Sequence, residues 1–309
     1  MDKLIKQLRG KIQTESAGKC LLWVDPAQHD PYEGDESVGQ RRVRVPINHV
    51  QFAKHRAPYL VPLDLMVPGD ADLFCDSVER AWLGWEIDRL RARHGQSICG
   101  WVVTEASAQT IANHWGLRCH IHGHRYKCKL LRFQDPGVRE WLWPTLSEVQ
   151  QHALLGYAAC VFAIGRDQSL LCHESASDDK PSDPFKLNDQ QWQQVGNYAT
   201  IHAAWLACTV ADAMGIHSSF SAAVLLAVLT AVDQATHYGV TQSSERALYA
   251  QHALQLGPRF HADGRMQAVW EQTRTGHYYG SAVEQVFSCA ADELCLHWTS
   301  IKEQTKWPT

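Results

Sequence analysis

Cys172-His-Glu-Ser-Ala-Ser-Asp-Asp-Lys-Pro-Ser-Asp-Pro184 separates two kinds of sequence. The run is polar and carries two prolines, the composition of a linker rather than of a packed element. Ahead of it, short apolar runs alternate with helical patterns. Behind it, from Asn188 on, only helical periodicity is present. The expected organisation is therefore an α/β lobe at 1–175, a linker at 176–187 and a helical lobe at 188–309. The fold class is α+β: a small sheet with flanking helices, then an all-helical lobe.

Working back from the linker, Ala159 to Ile164 reads as the last strand. Thr145 and Glu148 have the spacing of a capping box for the helix before it. Arg118 to Phe133 reads as a hairpin turning near His122-Gly123-His124, its second strand stopped by Asp135-Pro136. Cys99 to Val103 is a strand, followed by a helix that Thr104 caps and that reaches about Trp115. Residues 72–94 read as one helix ended by Gly95. Pro58-Tyr-Leu-Val-Pro-Leu63 is a strand whose prolines suit a sheet edge. Cys20 to Val24 is a buried strand closed by Asp25-Pro26, and residues 25–37 form an acidic, turn-rich loop. Residues 1–13 form a helix with Leu4, Leu8 and Ile12 on one face.

Forward of the linker, Asn188 and Gln191 resemble a second capping box, with a helix running to Met214 before Gly215. A very apolar helix spans 219–237, and another ends at Leu256 before Gly257-Pro258. Val283, Phe287, Ala290, Leu294, Trp298 and Ile301 predict one final helix.

Composition excludes several classes. Of the 309 residues, 45% are hydrophobic and 20% charged, so the chain is neither disordered nor fibrous. The net charge of −4 lacks the basic excess of a nucleic-acid binder. The longest apolar stretch, Ala222 to Val232, is too short to span a bilayer. Met1 to Gln13 has no signal-peptide pattern. A cytoplasmic protein with reduced cysteines is expected.

The 17 His and 10 Cys raise the question of metal. Cys119, His120, His122, His124 and Cys128 cluster, and on a strand the three histidines would share a face. A solvent-facing row is the commoner arrangement, and no metal or cofactor is expected. A metal-binding enzyme or sensor built on this Cys119–Cys128 hairpin is the alternative. Cys289, Cys295 and His297 do not converge on a helix. Gly95-Gln-Ser97-Ile-Cys99-Gly100 misses the nucleophile-elbow spacing and precedes a strand instead of following one. No HExxH, GxGxxG or Walker A sequence occurs, and no catalytic residue is assigned. Arg118, Arg125, Lys127, Lys129 and Arg132 make a basic strip, read as a solvated strand face or a patch for an acidic protein. Trp141 and Trp143 stand among charged residues, as interface tryptophans do.

Several blocks, in order, are similar to a known family: Leu21-Leu-Trp-Val-Asp25-Pro-Ala27, Ala57-Pro-Tyr-Leu-Val-Pro-Leu63, Gly100-Trp101 with Thr104 and His114, Leu131-Arg-Phe-Gln-Asp-Pro136, and Trp143-Pro-Thr-Leu146 with Gln150 and Gly156. The weaker tail shows Gln190-Gln-Trp-Gln and Leu254 to Phe260. The chain resembles the domain of unknown function shared by type VI secretion effector chaperones, or adaptors. It departs at Gln134, usually Tyr, at Gly137, usually Arg, and at Leu155-Gly156-Tyr157, usually Phe-Gly-Pro. The resemblance implies a non-catalytic cytoplasmic loader that binds a toxic effector and helps mount it on the VgrG spike, with no nucleic acid or membrane partner. Trp141, Trp143 and Tyr59 are the candidate partner contacts, and main-chain pairing along the 58–63 edge is one possible mode. Arg132, Asp135 and Pro136 are expected to stabilise a strand end through an ion pair or a turn.

Overall fold

Five consecutive buried residues, Cys20 to Val24, complete β1 (Lys19–Val24). A strand apolar on both faces requires a covering layer on each side, and this requirement shapes the first part of the molecule. The computed structural model describes residues 1–48, 52–92, 95–122, 128–175, 185–208, 222–257 and 259–298. The chain is α+β and divides into two units, Met1–Trp192 and Gln193–Thr309.

In the first unit β1 follows α1 (Asp2–Ser16). Next come α2 (Glu36–Arg41), β2 (Val43–Arg44), β3 (Tyr59–Asp64), α3 (Pro68–Leu83), α4 (Ile87–Arg91), β4 (Ile98–Val103) and α5 (Ala108–Arg118). A hairpin of β5 (His120–His122) and β6 (Cys128–Leu130) leads to α6 (Pro136–Leu142), α7 (Glu148–Leu155), β7 (Cys160–Ile164) and β8 (Leu170–Glu174). The main sheet has the order β2-β3-β1-β4-β7-β8, antiparallel throughout. Cys20, Leu22 and Val24 share one face with Val61, Leu63, Phe162 and Ile164. That face packs on Leu8 and Ile12 of α1 and on Phe74, Val78 and Ala81 of α3. On the other face Trp23 stacks on Trp115 of α5 with ring centroids 4.0 Å apart and meets Phe133 at 5.4 Å.

Several expectations are corrected. β3 is not an outer strand, because β2 pairs with its first residues, Val43 opposite Leu60 and Arg44 opposite Tyr59. The 72–94 helix is two, α3 and α4. Trp85 turns inward to donate its indole N–H to the Ile164 carbonyl at 2.8 Å, which takes the chain off the helix axis at Gly84. Ser107, not Thr104, caps α5; the Thr104 hydroxyl donates to the Tyr157 carbonyl at 2.7 Å. The capping box lies two residues later than expected, with Ser147 and Gln150, because Trp143–Thr145 forms a 3-10 turn around Pro144. The polar run from Cys172 does not begin as a linker: Cys172-His-Glu174 completes β8. Most of 176–187 lies outside the described residues, as does the hairpin turn at 123–127.

The second unit is built of helices: α8 (Asp189–Cys208), whose first turn belongs to the first unit, then α9 (Ala222–His237), α10 (Ser243–Leu256), α11 (Gln267–Arg274), α12 (Tyr279–Phe287) and α13 (Leu294–His297). Asn188 and Gln191 do form a reciprocal cap: Gln191 N donates to Asn188 Oδ1 at 2.8 Å and Asn188 N to Gln191 Oε1 at 2.9 Å. The expected single final helix is broken, because Ser288 adopts a left-handed conformation (φ 54°) and ends α12. Its core is aromatic. Trp270 stacks on Tyr238 at 4.5 Å and lies parallel to Tyr279 at 5.9 Å, with Tyr249 5.6 Å from Tyr279. Among the described residues no helix is long and apolar enough to cross a membrane.

Candidate functional site

The residue after β1, Asp25, is 5% exposed. A carboxylate so enclosed needs donors. Arg132 Nη2 reaches Oδ2 at 2.8 Å, Gln134 Nε2 donates to the same oxygen at 3.2 Å, and Ala27 N donates to Oδ1 at 3.0 Å. The Asp25 N–H donates to the Ser97 carbonyl at 2.8 Å, carrying the β1–β4 pairing past the strand end. Arg132 keeps 41% of its side chain exposed, so the pair joins the interior to the surface.

Asp135 does more than stop a strand. Its Oδ1 accepts from Gly137 N at 2.9 Å and Val138 N at 3.3 Å, and Pro136 takes the first helical position, so Asp135-Pro136 starts α6. Within α6 sits Arg139, 1% exposed. Its Nη1 donates to the Phe133 carbonyl at 2.9 Å and its Nη2 to the Cys99 carbonyl at 2.6 Å, and the guanidinium lies 5.1 Å from the Trp23 ring centroid. Burial lowers its pKa to about 10, so it remains a cation at neutral pH. The Cys99 carbonyl is available because β4 bulges: Trp23 pairs with Gly100 and Val24 with Ile98, leaving Cys99 between them. Gly100 has φ +144°, and a Cβ there would collide with the Phe162 carbonyl oxygen.

This corner opens on a small cleft lined by Asp25, Gln28, Gly95, Gln96, Arg132 and Asp135. Gln96 is held left-handed at φ 51°, uncommon for a residue with a side chain. Arg132 Nε and Gln134 Oε1 are buried and make no hydrogen bond. Burial raises the Cys99 and Cys119 thiols, so both stay protonated. His114 and His173 are driven down to about 4 and about 3 by burial and are neutral. A wider groove of about 440 Å³ lies against residues 31–37, the loop before α2 and its first turn, where Glu33 and Asp35 face Asp72 and Asp76 of α3.

The structure gathers Arg132, Asp135 and Pro136 into this corner. Trp141 and Trp143 are half-buried at the end of α6, with Trp143 edge-on to His173 of β8 at 4.9 Å. Tyr59 is corrected as a partner contact: it is 0% exposed, and its hydroxyl donates to Asp30 Oδ1 at 2.6 Å. His120 and His122 fall on β5, but their side chains, His124 and the Cys128 side chain lie outside the described residues. Asp25, a strand stop in the sequence, Gln134, a departure from the family pattern, and Arg139 are not among the sequence candidates for the site. The one pointer to Asp25 was its place directly after a fully apolar strand. No curated protein and no solved structure matches the chain. Residues 51–153, from before β3 to within α7 and including Arg132, Asp135 and Arg139, match the family model of a domain of unknown function, DUF4123, a family associated with type VI secretion effector adaptors.

Proposed function

We propose that this chain is a non-catalytic type VI secretion adaptor that binds a toxic effector in the cytoplasm and helps load it onto the VgrG spike. The observation that carries the reading is the DUF4123 match over 51–153. The corner around Arg132 supports it, because a rigid backbone anchor presents a half-exposed guanidinium beside an enclosed polar cleft. Arginine held in this way is suited to a protein interface.

The test is co-expression of the tagged chain with candidate effector and spike proteins from the same genome. The expected result is a stable complex with the effector, and loss of effector secretion, though not of its synthesis, in cells lacking the chain. Full secretion without the chain would overturn the reading. Arg132→Gln, which keeps a donor for Asp25, should weaken effector capture while leaving the circular dichroism spectrum unchanged.

A further inference from the structure

The sheet treats its two outer edges differently. On one side β2 is two residues long. Beyond it β3 presents Pro62, which has no N–H. Arg41 approaches the Pro62 carbonyl at 3.4 Å, and Arg44 holds the His55 and Ala57 carbonyls at 2.9 and 3.4 Å. A short edge carrying proline and arginine resists further pairing. The opposite edge, β8, reads Leu170-Leu-Cys-His-Glu174 and has no proline, lysine or arginine.

The phase of the β7–β8 pairing shows which main-chain groups of β8 point outward. The register runs from Cys160 opposite Glu174 to Ile164 opposite Leu170. Flanking it, Ser175 N donates to the Ala159 carbonyl at 3.0 Å and Gly165 N to the Ser169 carbonyl at 2.9 Å. Bonded and non-bonded pairs alternate in an antiparallel ladder. Val161 with His173 and Ala163 with Leu171 are therefore the bonded pairs, and the N–H and C=O groups of Leu170, Cys172 and Glu174 point away from β7. The Phe162 carbonyl agrees, since it faces Gly100 on β4. Among the described residues nothing bonds to these three N–H groups.

We propose that β8 receives an extended segment of the secreted effector as a seventh strand, an inference that rests on the adaptor reading above. Leu170 and Cys172 are only partly covered against the α1–α3 face, so the added strand would place apolar residues on that face. Glu174 is exposed at the end of β8 and calls for Lys or Arg opposite it. A second copy fits less well. Two β8 strands paired antiparallel about Cys172 would set each Glu174 against an apolar Leu170.

The test uses the full chain and the co-expressed effector. Cys172→Pro removes one outward N–H and leaves the bonds to β7, so it should lower effector affinity by about tenfold or more. Glu174→Lys, a surface change, should lower it several-fold. The outward amides of Leu170, Cys172 and Glu174 should exchange rapidly in the free chain and slowly in the complex, while those of Leu171 and His173, bonded to β7, are slow in both. If wild-type and both variants hold the effector equally and exchange at the amides of Leu170, Cys172 and Glu174 does not change on binding, the edge proposal falls and the adaptor reading stands. Slow exchange at the amides of Leu170, Cys172 and Glu174 in the free monomer, or a dimer lost in Cys172→Pro, also overturns it. If the wild-type chain holds no effector, the adaptor reading falls with it.

Discussion

Arg139 in the first unit and His252 in the second are both almost wholly enclosed, at 1% and 0% exposure, yet they keep opposite charge states. Burial lowers both, Arg139 to about 10 and His252 to about 4. The partners account for the result. Arg139 faces acceptors, the Phe133 and Cys99 carbonyls and the Trp23 ring, all of which favour a cation. His252 has one acceptor and one hydroxyl. Its Nε2 donates to the Ala291 carbonyl at 2.8 Å, which fixes the tautomer, and Nδ1 accepts from the Tyr279 hydroxyl at 2.7 Å. A second proton would remove that acceptor. Enclosure sets the cost of charge, and the surrounding donors and acceptors decide whether it is met.

The sharpest way to break the comparison is Arg139→Met. It strands the carbonyls around the β4 bulge, and a loss of about 4 kcal/mol in the first unit is expected on urea unfolding. A loss under about 1 kcal/mol would show that the cation does not organise the corner. The second effect is pH dependence at His252. Its folded pKa lies below the ordinary 6.5, so its contribution is complete above about pH 6.5 and disappears as pH falls towards 4. Between pH 7 and 5 the second unit should lose about 2 kcal/mol through this residue. The loss is readable as faster amide exchange in α10 and should be absent in His252→Asn. Arg139 contributes no slope in that range.

Asp25→Ala contrasts the enclosed arginine with a half-exposed one. Water can take over the Arg132 end of the pair, so about 1–2 kcal/mol is expected, less than for Arg139. Ser147→Ala removes the α7 cap, whose hydrogen bonds run only to Gln150. It should cost about 1 kcal/mol, equally at pH 5 and 7, and so calibrates the other three.

Much of the fold is legible in short stretches. Leu21-Leu-Trp23 and Cys160-Val-Phe162 are apolar on both faces, and only a strand between two layers buries them. The end of α10 follows from Gly257, which has φ +99°. β8 is obscured because an outer strand is half-exposed, and His173-Glu174 gives it the polarity of a loop. The break after α3 depends on Trp85 finding a carbonyl at Ile164, a contact 79 positions away. The candidate site is harder still. Arg132, Asp135 and Pro136 are visible as a local motif. Arg139, in a stretch of mixed polarity, has the pattern of a surface residue. What buries it is a bulge 40 positions earlier in the chain.

The strand order has a consequence for synthesis. β1 leaves the ribosome before the other strands of its sheet, yet it lies in the middle, between β3 and β4. At about 5–20 residues per second, its second neighbour emerges roughly 4–15 s later. Until then the side of Leu21-Leu22-Trp23 that β4 will cover is open, and a sheet of so few strands has little stability of its own. A nascent chain stalled before Val103 is therefore expected to be a sticky intermediate that depends on general chaperones. The molecule proposed to escort another protein has, during its own translation, a period in which it needs an escort.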